Sequence, residues 1–276
     1  MKKDIIEHQK NFMNTRITIK ARAGKNTVGI QTAIEKAFGE FDRIVKLYSR
    51  FNPKSELSIL NLQQEKWVRL SEEFFFLIEF ALNLALKTDG IFDPTVIDYL
   101  EKYGYDKDYN FSKLENKNLQ SEIALLSKTR ASFKEIALDK KNKKIRLAKN
   151  QRVELGGIGK GYAIDCAYKI LEKESTRFLI DAGGDIRAKS EDDPWEVALK
   201  TSKESLPVNS VFIKNEAIAS SGSWARRVKN FHHLLDTKTG KPVERDYSTV
   251  FTIAKSAIVA DSWATVLFCA GKDFLF

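Results

Sequence analysis

The chain has 276 residues, 43% of them hydrophobic and 11% aromatic, so it can bury a sizeable core in one large domain or two intimate ones. No stretch is apolar for long enough to span a bilayer. The formal net charge of +9 would suit a nucleic-acid partner. However, the lysines at 140–144 cluster on a predicted hairpin tip without interleaved aromatic side chains, so a solvated surface turn is preferred to a nucleic-acid site.

The N-terminal sequence and the two cysteines bear on the expected cellular location of the chain. The N-terminus lacks the apolar region of a secretory signal, so we expect a cytoplasmic location for the chain as given. An extracytoplasmic location is expected instead if an export segment lies outside this sequence. Cys166 and Cys269 are far apart in apolar helical patterns, which favours buried thiols over a disulfide framework or a zinc site.

The first half of the chain is predicted to begin with a strand and continue mainly as helices. Residues 15–21 alternate as a strand. Helices are predicted at 27–48, at 56–61 behind an N-capping Ser55, and at 72–87 behind an N-capping Ser71. Residues 106–135 are polar and charged, and we expect this segment to be the most variable in shape.

The second half is richer in short strands separated by turns. Strands are predicted at 136–138, 145–147, 178–181, 195–200, 210–214, 217–220 and 249–254, with a last helix at about 257–270. Strands gathered between helical segments predict an α+β fold in a single domain.

The most informative segment is 154–165, Glu-Leu-Gly-Gly-Ile-Gly-Lys-Gly-Tyr-Ala-Ile-Asp. Its glycines surround Lys160 just before an apolar-periodic run at 162–171 that predicts a helix. Glycine lets main-chain N–H groups approach a ligand, and a helix N-terminus and a lysine both favour phosphate. The spacing matches neither the dinucleotide fingerprint nor the P-loop. A site for a phosphorylated ligand and a plain tight turn are therefore equally supported by this segment alone.

Four further segments carry polar side chains that a core does not require: 90–94, 178–186, 231–242 and 260–265. Pro94 holds an aromatic and an acid, Phe92 and Asp93, in a rigid turn, which is also typical of an ordinary helix end. The sequence Asp-Ala-Gly-Gly-Asp at 181–185 ends a buried-looking strand, as both ligand crevices and simple turns do.

The last two of these segments carry histidines and a hydroxyl–carboxylate pair. His232 and His233 are adjacent in an extended segment, so one is expected to reach a site while the other faces solvent. Such a pair is more often structural unless its neighbours supply a substrate. Asp261 and Thr265 share one helix face, which suits Mg²⁺. The alternative is an acid near a helix start with a back-bonded threonine.

Taken together and in order, these motifs resemble the ApbE-type flavin transferases, FAD:protein FMN transferases, from about residue 12 to the end. Met13-Asn-Thr15 resembles the opening Met-Gly-Thr, residues 49–61 the Ser-x-Tyr-x-Pro-x-Ser-Glu-x-Ser-x-x-Asn stretch, and residues 90–94 Gly-Ala-Phe-Asp-Pro. The glycine segment is similar to Asp-Leu-Gly-Gly-Ile-Ala-Lys-Gly, and residues 181–185 to the Gly-Gly-Asp strand end.

The same resemblance continues through the C-terminal third. Residues 220–222 resemble the Thr-Ser-Gly turn, residues 233–242 the stretch His-x-x-Asp-Pro-x-Thr-Gly-x-Pro, and residues 260–265 the helix Ala-Asp-x-x-Ala-Thr. The family pattern continues for another strand or two beyond Phe276, which leaves open whether the domain, taken as residues 1–276, is truncated at its C-terminal end.

The resemblance implies a fold, a reaction and a set of site residues. The fold would be a T-fold-related α+β domain with antiparallel sheets packed with helices. The reaction would be Mg²⁺-dependent transfer of the FMN moiety of FAD to a threonine or serine hydroxyl of an acceptor protein, with release of AMP. The residues implied for FAD are Met13, Phe51, Ile91, Phe92, Asp93, Glu154, Lys160 and Leu235. Those implied for the metal are Gly157, through its carbonyl, Asp261 and Thr265. His233 would be the base, and His232 would be incidental.

Departures from the family pattern keep two alternatives open. Phe51 replaces a tyrosine, Glu154 an aspartate, and Ala264 an aspartate found in some members. Thr237 replaces the proline after Asp236 and is expected to loosen the turn behind His233. The alternatives are a Mg²⁺-dependent FAD pyrophosphatase and a non-catalytic FAD-binding protein.

Overall fold

The computed structural model describes residues 5–23, 27–201, 206–224, 226–229 and 231–275. The chain divides into two compact units, each built from separate stretches of sequence. The sheet unit comprises Met1–Val45, Gly156–Ala225 and Tyr247–Phe268. The helical unit comprises Lys46–Leu155, Arg226–Asp246 and Cys269–Phe276. The expectation of a single domain over 1–276 stays a prediction.

The described strands number as follows: β1 Ile5–Phe12, β2 Thr15–Arg22, β3 Val68–Arg69, β4 Ala137–Asp139, β5 Lys144–Arg146, β6 Arg177–Ala182, β7 Asp185–Ser190, β8 Trp195–Leu199, β9 Asn209–Ile213, β10 Glu216–Gly222 and β11 Thr249–Ala254. The described α-helices are α1 Thr27–Tyr48, α2 Glu56–Asn61, α3 Glu72–Lys87, α4 Ile97–Lys102, α5 Leu119–Thr129, α6 Gly159–Leu171 and α7 Ala257–Ala270. None of these helices is both long and apolar enough to cross a membrane.

The sheet unit contains a six-stranded antiparallel sheet in the order β1-β2-β6-β7-β10-β11, and β8 pairs with β9. Along β2 the buried residues Ile17, Ile19 and Ala21 alternate with more exposed ones, which places one face of the strand in the core. Helix α6 packs against β6 and β7. The sheet therefore supports α6, whose first residues belong to the glycine segment.

The helical unit consists of α2 to α5, a small antiparallel sheet in the order β3-β5-β4, and the returning segment 226–246. Its core includes a buried cluster formed by Tyr99, Leu100, Tyr103, Tyr105, Leu119, Ile123, Phe231 and Leu235. Phe231 and Leu235 flank the two histidines in sequence, so the cluster anchors the histidine-bearing segment to helices α4 and α5.

The predicted α+β class, with antiparallel sheets packed with helices, is confirmed. Helix α1 has the predicted bounds, and the caps are where they were expected. The hydroxyl of Ser55 accepts the N–H of Ser58 at 3.0 Å, and that of Ser71 accepts the N–H of Phe74 at 3.2 Å. The described Cys166 and Cys269 are half-buried rather than buried and form no disulfide.

Segment 106–135 is more regular than its composition indicates, because it contains α5 and two short 3₁₀ turns.

Candidate active site

The glycine segment starts its helix earlier than its sequence predicts. Helix α6 begins at Gly159, not at 162, so Lys160 and Gly161 lie in its first turn. Gly161 is required there by packing, because a Cβ would lie 2.4 Å from the carbonyl oxygen of Ala257 at the start of α7. The N-terminal ends of α6 and α7 therefore meet with main chain against main chain.

Asp261 of α7 reaches the start of α6. Its Oδ2 atom accepts the main-chain N–H of Gly161 at 2.9 Å, and the residue is buried. Burial raises the pKa of the Asp261 carboxyl, and the negative charge of Asp185 raises it further, while Lys160 opposes the shift. The predicted metal ligand thus lies in a dry, acidic position at the positive end of a helix.

Asp185 completes this group, although the sequence alone did not single it out. Its carboxylate forms an ion pair with the ammonium of Lys160 and accepts the N–H of Ser220 at 3.3 Å. Only 1% of Asp185 is exposed. Asp185 is part of the match to the Gly-Gly-Asp strand end, but the resemblance assigned no role of its own to this aspartate.

The 181–185 segment is a hairpin turn between β6 and β7. Ala182 and Asp185 face each other across it, and Gly183 and Gly184 both have positive φ, 69° and 99°. Two-residue turns of this kind match the twist of the flanking strands and favour glycine. Strand β7, which follows, was not predicted.

Met13 lies at the same end of the sheet as this turn. Met13 and Asn14 form the β1–β2 turn with positive φ values of 53° and 56°. A Cβ on Gly183 would lie 2.2 Å from Oγ1 of Thr15, so the two hairpin turns are immediate neighbours. Within the sheet unit, a predicted flavin residue and the Asp185 turn are therefore brought together.

The remaining predicted metal ligands lie on α7, one turn further along than Asp261, and in the turn before α6. The Oγ1 atom of Thr265, one turn after Asp261, is 3.2 Å from Oγ of Ser221 on β10. Gly157 lies half-buried in the turn just before α6. Among the described residues, no group of three or more His, Cys, Asp or Glu side chains is arranged to hold a metal ion.

The predicted ligands form a different donor set, one carboxylate with a hydroxyl and a main-chain carbonyl. All three donors are oxygens, which suits Mg²⁺. The buried carboxylates of Asp185 and Asp261 are balanced here by one ammonium, that of Lys160, and this excess of negative charge also suits a cation. The residues present therefore fit the ion.

Asp165, the last residue of the glycine segment, fixes the relation between the two helices. Its carboxylate accepts the N–H groups of Ala257 at 2.8 Å and Ile258 at 3.0 Å, and Arg187 donates to it at 2.5 Å. It therefore caps α7 from α6 and satisfies donors that a helix start leaves unpaired. Sequence reasoning missed this role, because the partners lie about ninety positions apart.

In the helical unit, hydrogen bonds to the buried Asp93 side chain hold the 90–94 turn. Asp93 is buried, and its carboxylate accepts from Arg130 at 2.8 Å and from the N–H and hydroxyl of Thr95 at 2.8 and 2.6 Å. Phe92 is also buried, whereas Ile91 is half-buried. The N–H of Glu154 donates to the carbonyl of Pro94 at 2.8 Å, so two predicted FAD segments meet in this unit.

The two histidines lie in different surroundings, and the expectation that the incidental one, His232, faces solvent is wrong. His232 is buried and does not face solvent. Its Nε2–H donates to the carbonyl of Val243 at 3.1 Å, and its Nδ1 accepts the N–H of Leu234 at 3.3 Å. Burial lowers the pKa of His232, because a charged imidazole is poorly solvated there. His233 is half-buried, with its ring centroid 6.2 Å from that of Tyr105.

Phe51 and Leu235, both predicted to contact FAD, lie in different surroundings. Phe51 is 39% exposed, stacks on Tyr109 at 5.7 Å between ring centroids, and lies 4.2 Å from the Arg50 guanidinium. Leu235 is only 5% exposed and belongs to the buried cluster with Tyr99. Phe51 therefore lies partly exposed at the surface, whereas Leu235 packs in the core of the helical unit.

Thr237 does not loosen the turn behind His233, contrary to the expectation from its replacing a proline. The residue is buried, and its hydroxyl donates to the carbonyl of Gly90 at 2.5 Å. A side-chain hydrogen bond therefore ties this turn down where the family pattern has a proline.

The sequence model of the ApbE family matches residues 13–275, so the chain belongs to the ApbE family. The FAD:protein FMN transferase of Haemophilus influenzae is 28% identical over 264 residues, which cover 88% of this chain and 75% of that protein. The enzyme of the same name from Escherichia coli K12 is 26% identical over 277 residues, 94% of this chain and 76% of that protein.

Solved structures agree with this membership. The ApbE protein of Thermotoga maritima superposes with a TM-score of 0.88 at 30% identity, covering 99% of this chain and 89% of its own. The flavin transferase ApbE of Vibrio cholerae gives a TM-score of 0.82 at 22% identity, covering 98% and 88%, and supports the fold. The predicted family and its class of enzyme, flavin transferases, are confirmed, while the assignment of individual site residues stays a prediction.

Proposed function

We propose that this chain is a FAD:protein FMN transferase that requires Mg²⁺, modifies a threonine or serine hydroxyl of an acceptor protein and releases AMP. Membership in the ApbE family and the names of its relatives support flavin transfer. The observation that carries the proposal is the group of Lys160, Asp185 and Asp261 at the start of α6. One cationic and two anionic side chains at a helix start suit a pyrophosphate with a divalent cation, because the positive end of a helix favours phosphate.

The sheet unit would hold the phosphates of FAD. The Lys160 ammonium and the first N–H groups of α6 would bind the pyrophosphate, and the Gly157 carbonyl, Asp261 and Thr265 would hold Mg²⁺. When bound, Mg²⁺ neutralises the charge that develops on the transferring phosphoryl group and orients that group. Asp165 would keep α6 and α7 in register, because its carboxylate caps α7.

His233, in the helical unit, would act as the general base. Its imidazole would remove the proton from the acceptor hydroxyl, whose oxygen then forms a bond to the phosphorus of the FMN moiety. The bond from this phosphorus to the oxygen bridging the two phosphates breaks, and AMP leaves with that oxygen. His232 cannot share this role readily, because both of its ring nitrogens are engaged by main-chain groups.

The flavin end would be formed by Met13, Phe51, Ile91, Phe92 and Asp93, with Glu154 and Leu235 contributing to the rest of the FAD site. The exposed ring of Phe51 suits stacking on a flavin. Asp93 and Leu235 are buried, so they would act by shaping the turns that carry Ile91 and His233.

Incubation with FAD, Mg²⁺ and a threonine-bearing acceptor tests the reaction. We expect mass spectrometry to find FMN on the acceptor and chromatography to find an equal amount of AMP. The same acceptor with its threonine changed to alanine is the matched control and should stay unlabelled. Release of FMN and AMP without labelling would instead support the pyrophosphatase, and retained FAD without turnover would support a binding protein.

The choice of nucleotide is a second test of the same proposal. Because Lys160 and the start of α6 are suited to a pyrophosphate, FAD should bind more tightly than FMN in a fluorescence titration with Mg²⁺. Equal affinities for the two nucleotides would contradict the placement of the pyrophosphate at Lys160.

A further inference from the structure

Arg130 joins two segments of the helical unit that carry predicted site residues. It follows α5 directly, and its side chain is 9% exposed. The guanidinium donates to the Asp93 carboxylate at 2.8 Å and to the Thr95 hydroxyl at 2.6 Å, both in or beside the 90–94 turn. It also donates to the carbonyl of Thr237 at 3.0 Å. One buried side chain therefore binds the 90–94 turn and the segment 231–243, here called the histidine loop.

Thr237 provides a second link between the same two segments. Its hydroxyl donates to the carbonyl of Gly90, while its own carbonyl accepts from Arg130. Thr237 therefore acts as a donor to one end of the 90–94 turn and as an acceptor for the arginine that holds the other end.

Tyr99, a residue of the buried cluster, contacts both Arg130 and the histidine loop. The Arg130 guanidinium lies 5.0 Å from the centroid of the Tyr99 ring, a cation–π distance. Gly240 of the histidine loop packs on the same ring, since a Cβ there would lie 2.4 Å from Cε1 of Tyr99. The loop is thus held at Thr237 and at Gly240, on the C-terminal side of His233.

We propose that Arg130 and Thr237 are positioning residues that fix the histidine loop, and with it His233, against the 90–94 turn. Proline limits a turn by fixing φ within one residue. Here, where the family pattern has that proline, the turn is held by hydrogen bonds to a second segment. This inference rests on the role proposed for His233. A base must lie within hydrogen-bond reach of its proton, and small displacements of a catalytic group lower the rate sharply.

Two substitutions at position 237 separate positioning from bulk stability. Thr237→Val keeps the shape of the side chain but removes the hydroxyl, and Thr237→Pro removes the hydroxyl while fixing φ. We expect Thr237→Val to lower kcat about tenfold with the Kd for FAD within about twofold of wild type. Thr237→Pro should keep most of kcat. A wild-type kcat in Thr237→Val, or an equal loss in both variants, would overturn the proposal.

Arg130 is tested by a graded pair with a matched control. Arg130→Met leaves the buried Asp93 without its cation, so it should lower kcat more than Arg130→Lys, which keeps the charge. Arg152→Met is the control, because Arg152 pairs with Asp98 and Glu101 of the same unit, both of them outside the 90–94 turn and the histidine loop. Equal losses of kcat in Arg130→Met and Arg152→Met would overturn the assignment.

Hydrogen exchange of the histidine loop provides a readout that needs no transfer activity. Peptides covering 231–243 should exchange faster in Thr237→Val and Arg130→Lys than in the wild type, and at the wild-type rate in Arg152→Met. Unchanged exchange in Thr237→Val and Arg130→Lys would overturn the link. If the wild type transferred no FMN, the proposed function would fail, and these exchange rates would still decide whether Arg130 and Thr237 hold the loop.

Discussion

The carboxylate of Asp261, on α7, accepts the main-chain N–H of Gly161, in the first turn of α6, at 2.9 Å. This bond places an acid at the positive end of a helix, where the helix dipole stabilises negative charge. Burial and the neighbouring Asp185 act in the other direction and raise the pKa of the Asp261 carboxyl. Burial therefore disfavours the ionised form, and a nearby cation, such as Lys160 or the Mg²⁺ proposed for this site, favours it.

Asp261→Asn is expected to separate folding from Mg²⁺ dependence. The amide keeps the shape and can still accept from Gly161, but it carries no charge. Because the pKa of the Asp261 carboxyl is raised in the folded state, ionisation of this group lowers the free energy of unfolding as pH rises through that pKa. At pH 8 the substitution therefore removes this destabilisation. We expect the variant to melt at the wild-type temperature or above it without Mg²⁺. Added Mg²⁺ should no longer raise its melting temperature, and transfer at low Mg²⁺ should fall at least tenfold.

Asp246→Asn is the matched control for that substitution, because Asp246 is an exposed partner of Lys272. Its response to Mg²⁺ should be that of the wild type. Normal turnover of Asp261→Asn at low Mg²⁺ would show that the assignment of α7 to the metal is wrong.

Gly161→Ala is expected to destabilise the junction of α6 and α7. The new Cβ would lie 2.4 Å from the Ala257 carbonyl oxygen and 2.7 Å from the Ile258 Cα, and main chain cannot move aside cheaply. Overpacking of this kind costs about 1–3 kcal/mol. Urea unfolding without ligand measures the loss.

Gly159→Ala, two residues earlier, provides the control. Apart from its chain neighbours and the backbone of its own helix, no described atom lies within 4 Å of the position of a Cβ at residue 159, and alanine favours the helix over glycine by up to about 1 kcal/mol. This variant should be as stable as the wild type or more stable. Equal destabilisation of the two variants would mean that the first turn of α6, rather than its contact with α7, limits stability.

Local signals in the sequence predicted the elements that depend on local chemistry. The apolar stripe of α1 and the caps Ser55 and Ser71 are set by residues a few positions apart, and all three were predicted. Strand β7 was missed because only Ile186 on its buried face is a large hydrophobic residue, while Ala188 and Ser190 give little hydrophobic signal. Helix α5 was missed for a similar reason, since only Leu119 and Ile123 are buried along it.

The site shows the same division between local and distant contacts. The motifs pointed to Lys160, Asp261 and His233, but the partners of such residues are far away in sequence. Arg130 contacts Asp93 across 37 positions and Thr237 across 107, and no local pattern encodes either contact. Successive side chains of an extended segment point to opposite faces, so His232 and His233 were expected to differ in their surroundings. This pattern does not show which of the two is buried.

His233→Ala is expected to abolish most transfer while FAD still binds. If the imidazole is the general base, the rate should fall about a hundredfold or more, because no other described histidine is placed to replace it. His8→Ala is the control, since His8 lies on the edge strand β1. FMN transfer and thermal unfolding should be measured on both. A His233→Ala protein that melts normally and transfers FMN at the wild-type rate would remove the base assignment.

His232 is expected to make the fold sensitive to mild acid. Its pKa is lowered from 6.5 by burial, and protonation of Nδ1 would also break the bond from the Leu234 N–H. The unfolded chain therefore takes up this proton at a higher pH than the folded one. The stability contributed by neutral His232 is complete above about pH 6.5 and is lost as pH falls below that value toward the folded pKa.

His232→Gln tests this, because glutamine can still donate to the Val243 carbonyl but does not titrate. Urea unfolding at pH 7.5 and 5.5 should show a larger loss for the wild type than for the variant. The variant itself should be about 1–3 kcal/mol less stable at pH 7.5, since the Leu234 N–H or the Val243 carbonyl loses its partner. Substitution of His232 is thus expected to act through stability, with the rate per folded molecule unchanged. Identical losses between the two pH values would show that His232 does not provide the acid sensitivity.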